Sequence, residues 1–235
     1  MPQLPTPSGG GNKKRGDSSP KVRNLDIERI AAVGLAIVDE LGPDALTMRA
    51  VATKLDVTPM SLYRHVADKS GLVALVVDRA ITECSLPERT GNGWQDDLCV
   101  LGHWMRERLV AHPATSHLRR QYQVWSSGIF GVGEQWLQIW SDSGLPPEAV
   151  RRAASTSAMA VLGVLEEQIL PRFAPPAENE MESVPHMREF AAAQLELSDD
   201  FELLLRALTE GLYIQLSAKH KPSRATSRRR SRRSD

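Results

Sequence analysis

The sequence predicts an all-α chain built as a small N-terminal three-helix unit and a larger helical domain. Three observations carry this. Leu, Ala and Arg dominate the 235 residues, and all three favour helices. Alternation of β-branched and polar residues is almost absent, and aromatics make up only 5%. Apolar positions instead recur at the 3.6-residue period, in blocks closed by Gly-Pro, His-Pro and Ser-Gly stops.

The blocks come in order. Ile27, Ile30, Ala31, Gly34, Leu35, Val38 and Leu41 mark a helix over 26–41, stopped by Gly42-Pro43. Shorter helices are expected over 47–55 and 59–66, then one over about 68–84. Residues 85–92 read as a loop and as the domain boundary. Beyond it the pattern predicts helices over 94–111, about 114–120, 126–142 and 147–169. A proline-rich flexible loop is expected over 171–186, and a last helix over 199–218.

Residues 46–69, LTMRAVATKLDVTPMSLYRHVADK, are the most informative stretch. Thr47 can cap a helix whose apolar face is Val51, Ala52 and Leu55. Asp56-Val57 forms a turn, and Asp is one of the few residues besides Gly that tolerates positive φ. Thr58 caps a second helix with Pro59 at its first position. Met60, Leu62, Tyr63 and Val66 alternate with Ser61, Arg64 and His65, so one face packs inward and the other offers polar groups. This is a helix-turn-helix pattern, and its second helix is a major-groove reader.

The stretch closely resembles the DNA-binding domain of TetR-family transcriptional regulators. The likeness covers about residues 24–80 and rests on Leu46-Thr47-x-Arg49-x-Val51-Ala52, on Leu55-Asp56-Val57, and on Ser61-Leu62-Tyr63-x-His65-Val66 before Asp68-Lys69. Asp56 departs from the glycine usual in the family. The resemblance implies that Thr47, Arg49, Tyr63, His65 and Lys69 hold DNA phosphates, and Thr58, Pro59, Met60, Ser61 and Arg64 are left to read bases. Arg64 has the fork geometry for a guanine. A weaker likeness joins the second half to the tetracycline-repressor-type C-terminal region, through Trp94-Gln95-Asp96, Gly163-Val164-Leu165-Glu166-Glu167-Gln168 and Phe201…Gly211-Leu212. The tetracycline constellation is incomplete. Ser85 stands where a histidine is expected, Glu166 matches a glutamate near the metal, and His117 is out of register. Neither tetracycline nor a bound metal or other cofactor is expected.

Zero net charge conceals a polarity along the chain. Residues 1–23 carry five Lys/Arg against one Asp, and 219–235 carry eight against one, so residues 24–218 hold −11. Both basic ends read as disordered, the first Pro/Gly/Ser-rich and the last Ser/Arg-rich. Their expected contribution is non-specific attraction to phosphates. No apolar run is long enough to span a bilayer and no signal segment opens the chain, so a cytoplasmic protein without a membrane partner is expected. Cys84 and Cys99 show no metal spacing and read as buried thiols.

In the larger domain, large flat side chains gather at Trp104, Met105, Tyr122, Trp125, Phe130, Trp136 and Trp140. With His103, Gln121 and Glu166 they compose an expected pocket for a small apolar effector. Small and apolar residues on 147–169 (Ala154, Ala158, Val161, Leu162) and 199–218 (Leu204, Leu208, Gly211, Leu212) predict a four-helix homodimer interface. Two-fold pairing then implies a palindromic double-stranded DNA operator. No nucleophile elbow, P-loop, dinucleotide fingerprint or His-Glu-x-x-His motif points to an enzyme. The sequence therefore reads as a regulator, most simply a repressor released by a small molecule. The alternative is a ligand-independent architectural protein acting through its basic tails.

Overall fold

The computed structural model describes residues 25–169, 183–192 and 197–219. The basic stretches 1–24 and 220–235 and most of the proline-rich 171–186 segment lie outside them. The described residues form α-helices and one short 3-10 turn at Pro43–Ala45, with no strand.

The first four helices make the head: α1 (Ile27–Leu41), α2 (Met48–Leu55), α3 (Pro59–Tyr63) and α4 (Lys69–Thr82). Each starts on a side-chain cap. Asp26, Thr47, Thr58 and Asp68 accept from the backbone N–H three residues on, at 2.7, 3.0, 3.2 and 2.8 Å. Such caps satisfy N–H groups the helix itself leaves free. α1 lies directly on α4. A Cβ on Gly34 would sit 2.5 Å from Val76 Cγ2, so only glycine permits this approach. Ile30, Leu35, Leu46, Val51, Leu62 and Leu72 fill the space between.

The body contains α5 (Trp94–Ala111), α6 (Pro113–Tyr122), α7 (Ser127–Ser141), α8 (Pro147–Ile169), α9 (Pro185–Ala192) and α10 (Leu197–Lys219). Its core is built round Leu98, Leu101, Trp136, Trp140, Phe201 and Leu205. Ser157 Oγ accepts the indole N–H of both Trp136 and Trp140 at 3.0 Å. Burying an indole without an acceptor is costly, and one serine meets that need for two.

Sequence and structure differ at three elements. α3 ends at Tyr63, because the backbone tightens and both His65 and Val66 donate to the Leu62 carbonyl, at 2.9 and 3.0 Å. α9 falls partly where a loop was expected. α6, assigned by position to the second domain, packs into the head: Leu118 is 1% exposed among the head's buried residues.

The 85–93 connection is fastened by Asp97. Its carboxylate accepts from Arg89 Nε at 2.7 Å, and from the Thr90 N–H and hydroxyl at 2.6 and 2.8 Å. Burial opposes its ionisation, but these three donors outweigh that and hold the carboxyl below its usual pKa. A depressed carboxyl stabilises the fold above its ordinary pKa and loses that contribution as pH falls through the depressed value. Asp97→Ala should cost about 2 kcal/mol in urea denaturation at pH 7. The difference from wild type should shrink once pH drops below about 4.

Candidate nucleic-acid interface and ligand cavity

The head presents one polar edge. Asp56 sits at φ 57, ψ 45 in the left-handed region, and the Val57 N–H closes the turn on the Ala52 carbonyl at 3.0 Å. This fixes α3 against α2. Leu62 and Val66, four residues apart, are the inward side of α3 and its continuation, at 0% and 3% exposed. Met60 and Tyr63, both expected at the DNA, are 70% and 49% exposed and leave the inward face to Leu62 and Val66. On so short a helix, only one i, i+4 pair can face the core. Thr58, Pro59, Arg64 and His65 are exposed beside them, and Ser61 is half-buried. Thr58 Oγ1 and Ser61 Oγ lie 3.0 Å apart, so these two hydroxyls are held together. Thr47 and Arg49 are exposed at the start of α2. Among the described residues, neither Arg49 nor Arg64 forms an ion pair.

Lys69 is placed differently from the expectation of an outward phosphate contact. It is half-buried, with Nζ 5.9 Å from the Tyr122 ring centroid on α6. Burial lowers its pKa, and Asp44 acts in the opposite sense. The start of α4 is already occupied by the Asp68 carboxylate.

Behind the head lies a cavity of about 480 Å³. Its wall takes Val77, Ala80 and Ile81 from α4, and Trp104, Met105, Arg108 and Leu109 from α5. α6 adds Thr115, Ser116 and Arg119; α7 adds Ile129, Val132, Trp136 and Leu137; α8 adds Arg151, Ala154, Ser155, Ala158 and Leu162. Trp125 stands at the rim, 67% exposed. Trp104, Met105, Trp125 and Trp136, all expected from the sequence, therefore meet here.

The other expected pocket residues lie off the wall. Trp140 is fully buried in the body core, held there by Ser157. Phe130 stacks on Trp125 with centroids 5.6 Å apart, itself 62% exposed. Gln121 is exposed on α6, since the helix turns it away from the wall that Arg119 joins. His103 pairs with Glu202 of α10 at 2.6 Å. Glu166 is bound by Arg119, at 3.3 Å, and by Arg120. Sequence reasoning missed Arg108, Arg119 and Arg151. Arg108 was within reach, because it lies one helical turn from Trp104. Two wall atoms, Trp104 Nε1 and Arg108 Nε, are buried with no hydrogen-bond partner among the described residues.

The cavity wall touches the supports of the head. α4 carries Val76 toward Gly34 and Val77, Ala80 and Ile81 toward the cavity. α6 turns Leu118 to the head and Thr115, Ser116 and Arg119 to the cavity. His112, between α5 and α6, bridges Asp39 of α1 and Glu83 beyond α4, both at 2.9 Å. Asp78 of α4 accepts from the Gly128 N–H at 2.7 Å, tying α4 to the start of α7.

Of the expected interface residues two are buried, Ala158, Leu162, Leu204, Leu208 and Leu212 are half-buried, and Gly211 is exposed. Ala154 and Val161 are 3% and 0% exposed within the chain itself. Ala158 and Leu162 line the cavity, and Leu204, Leu208 and Leu212 pack on the body core. The small residues of α8 make room for Trp136 and Trp140. Exposed with Gly211 are Met159 and Gly163 on α8, and Leu203, Ala207 and Ile214 on α10. Of the two cysteines, Cys99 is buried, and burial together with the nearby Glu202 pushes its thiol up to about 11. Cys84, also expected to be buried, is exposed because it lies beyond the last turn of α4.

The comparisons with known proteins agree with this architecture. A family model described as the tetracyclin repressor-like C-terminal domain matches residues 86–216. The tetracycline repressor class D of Escherichia coli is 30% identical over 214 residues, covering 83% of this chain and 92% of the repressor. A helix-turn-helix transcriptional regulator of Saccharopolyspora erythraea is 32% identical over 89 residues, and the match spans only 38% of its length. The Streptomyces coelicolor TetR-family protein ActR, solved in complex with (S)-DNPA, superposes with a TM-score of 0.65 at 25% identity, over 81% of this chain and 98% of ActR. With a head shaped to present α3 and a body that matches over more than half of the chain, the protein belongs to the TetR family of transcriptional regulators.

Proposed function

We propose that the protein is a homodimeric repressor that binds a palindromic operator through α2 and α3 and leaves it when a small molecule fills the cavity. The observation that carries this is the shared wall: α4 and α6 line the cavity and also hold the reading unit. A ligand that prefers a shifted α4 changes the separation of two heads, which must stay near ~34–36 Å to enter successive major grooves. The ligand-bound ActR structure and the E. coli tetracycline repressor support a regulator of this kind. In this reading Thr47, Arg49, Tyr63 and His65 hold phosphates, and Thr58, Pro59, Met60, Ser61 and Arg64 face bases. Lys69 acts by seating α4 on α6.

Operator selection from random DNA should return two inverted half-sites. Arg64→Ala should relax one position per half-site at a cost of ~1–3 kcal/mol. An unchanged binding logo would remove Arg64 from the readers.

Dimerisation is assigned to the exposed apolar residues of α8 and α10. Met159→Asp with Leu203→Glu should give monomers in sedimentation velocity, with the helical content retained. A variant that still sediments as the wild-type dimer would place the interface elsewhere.

The switch itself is tested by linkage. A ligand found by thermal-shift screening should bind less tightly when the selected operator is present, and operator should bind less tightly by the same factor when ligand is present. A coupling of about 1–3 kcal/mol is typical of such switches. Equal ligand affinities with and without operator would overturn the release mechanism and leave a regulator that does not respond through this cavity.

A further inference from the structure

We infer that the cavity is built for an organic acid, a flat apolar body carrying a carboxylate or comparable oxyanion. The acid would be seated by Trp104 and Arg108. This rests on the effector reading of the same cavity and adds the chemical class of the ligand.

Trp104 and Arg108 are four residues apart on α5 and so share one face. Their Nε1 and Nε atoms are buried, and among the described residues neither has an acceptor. Buried donors are almost always satisfied, so two on side chains of one wall favour a ligand that brings an acceptor as these side chains shift to meet it. Both atoms only donate. The partner must therefore bring lone pairs, and a guanidinium matches two oxygens in a plane.

Charge separates an anion from a neutral acceptor. The wall holds Arg108, Arg119 and Arg151 and no Asp or Glu. Glu166 is shared by Arg119 and Arg120, so half-buried Arg108 and exposed Arg151 have no wall carboxylate to offset them. The rest of the wall fixes the body of the ligand. Trp104, Trp136, Met105, Ile129 and Val132 offer flat and polarisable surface with little hydrogen bonding, which suits fused rings better than a sugar or a peptide.

The test uses the full-length protein and anthracene-9-carboxylate beside its neutral carboxamide, with 1-pyrenebutyrate and 1-pyrenebutanol as a second pair. Binding is read by energy transfer from the tryptophans. Wild type should bind each acid at least 10-fold more tightly than its neutral partner. Arg108→Met should abolish that preference while leaving the neutral compound's affinity within about twofold. Arg108→Lys should restore part of it, and Trp104→Phe should reduce it several-fold. Equal binding of acid and neutral compound by wild type would overturn the acid assignment and leave the effector cavity standing. Binding of none of the four would overturn both. The wild-type comparison decides even if a variant does not fold.

Discussion

The molecule turns on the two-sided burial of α4. One side must take Val76 against Gly34, where a single added methyl group does not fit. The other contributes Val77, Ala80 and Ile81 to the cavity. Close-packed interiors transmit displacement because they have little free volume to absorb it. A helix with one face pressed this closely on α1, and the other exposed to a cavity, cannot move without carrying α1. Ile30, Leu46, Val51, Leu62 and Leu72 form one core across α1 to α4, so in the proposed switch a displacement of α4 is shared by α3.

The body is organised by a second constraint, the pair of indoles sharing Ser157. Two buried tryptophans on adjacent turns of α7 demand space and an acceptor from α8, and Ala153, Ala154 and Ser157 supply both. This consumes the small-residue side of α8. What remains outward is Met159 and Gly163, beside Leu203, Ala207, Gly211 and Ile214 of α10. Exposed apolar residues on two long helices are the remainder after the chain's own core is complete, and in the proposed dimer a second copy covers them.

Local features of the fold were legible in the sequence because their causes are local. Thr47 and Thr58 each cap the helix that begins at the next residue, and Asp56 takes the left-handed turn that its side chain tolerates. Tertiary features were not. That small residues on α8 face tryptophans instead of a partner depends on where α7 lands. That Lys69 turns toward Tyr122 depends on α6, far along the chain, entering the head. Glu166 illustrates the same limit: its resemblance to a metal-site glutamate says nothing of Arg119 and Arg120, which occupy it here. Arg108 could have been read, since it shares a helical face with Trp104, but a polar residue amid aromatics draws attention only once its head group is known to be buried.

In the proposed switch, α6 is the second helix shared by the cavity and the head. Like α4 it divides its faces between two tasks, with Leu118 in the head core and Thr115, Ser116 and Arg119 on the cavity wall. His112 fixes its start to α1 and to the end of α4, while Arg119 fixes its later turns to Glu166 of α8. An acid seated on Arg108 lies against this helix and places negative charge near Arg119, in competition with Glu166. Arg120 of the same helix also holds Glu166, so the tie between α6 and α8 rests on two guanidiniums, while His112 holds the start of α6 to α1 and to the end of α4. α6 is thus tied to the body through Glu166 and to the head through His112 and Leu118, and under the proposed release mechanism a charge brought into the cavity acts on the first of these ties.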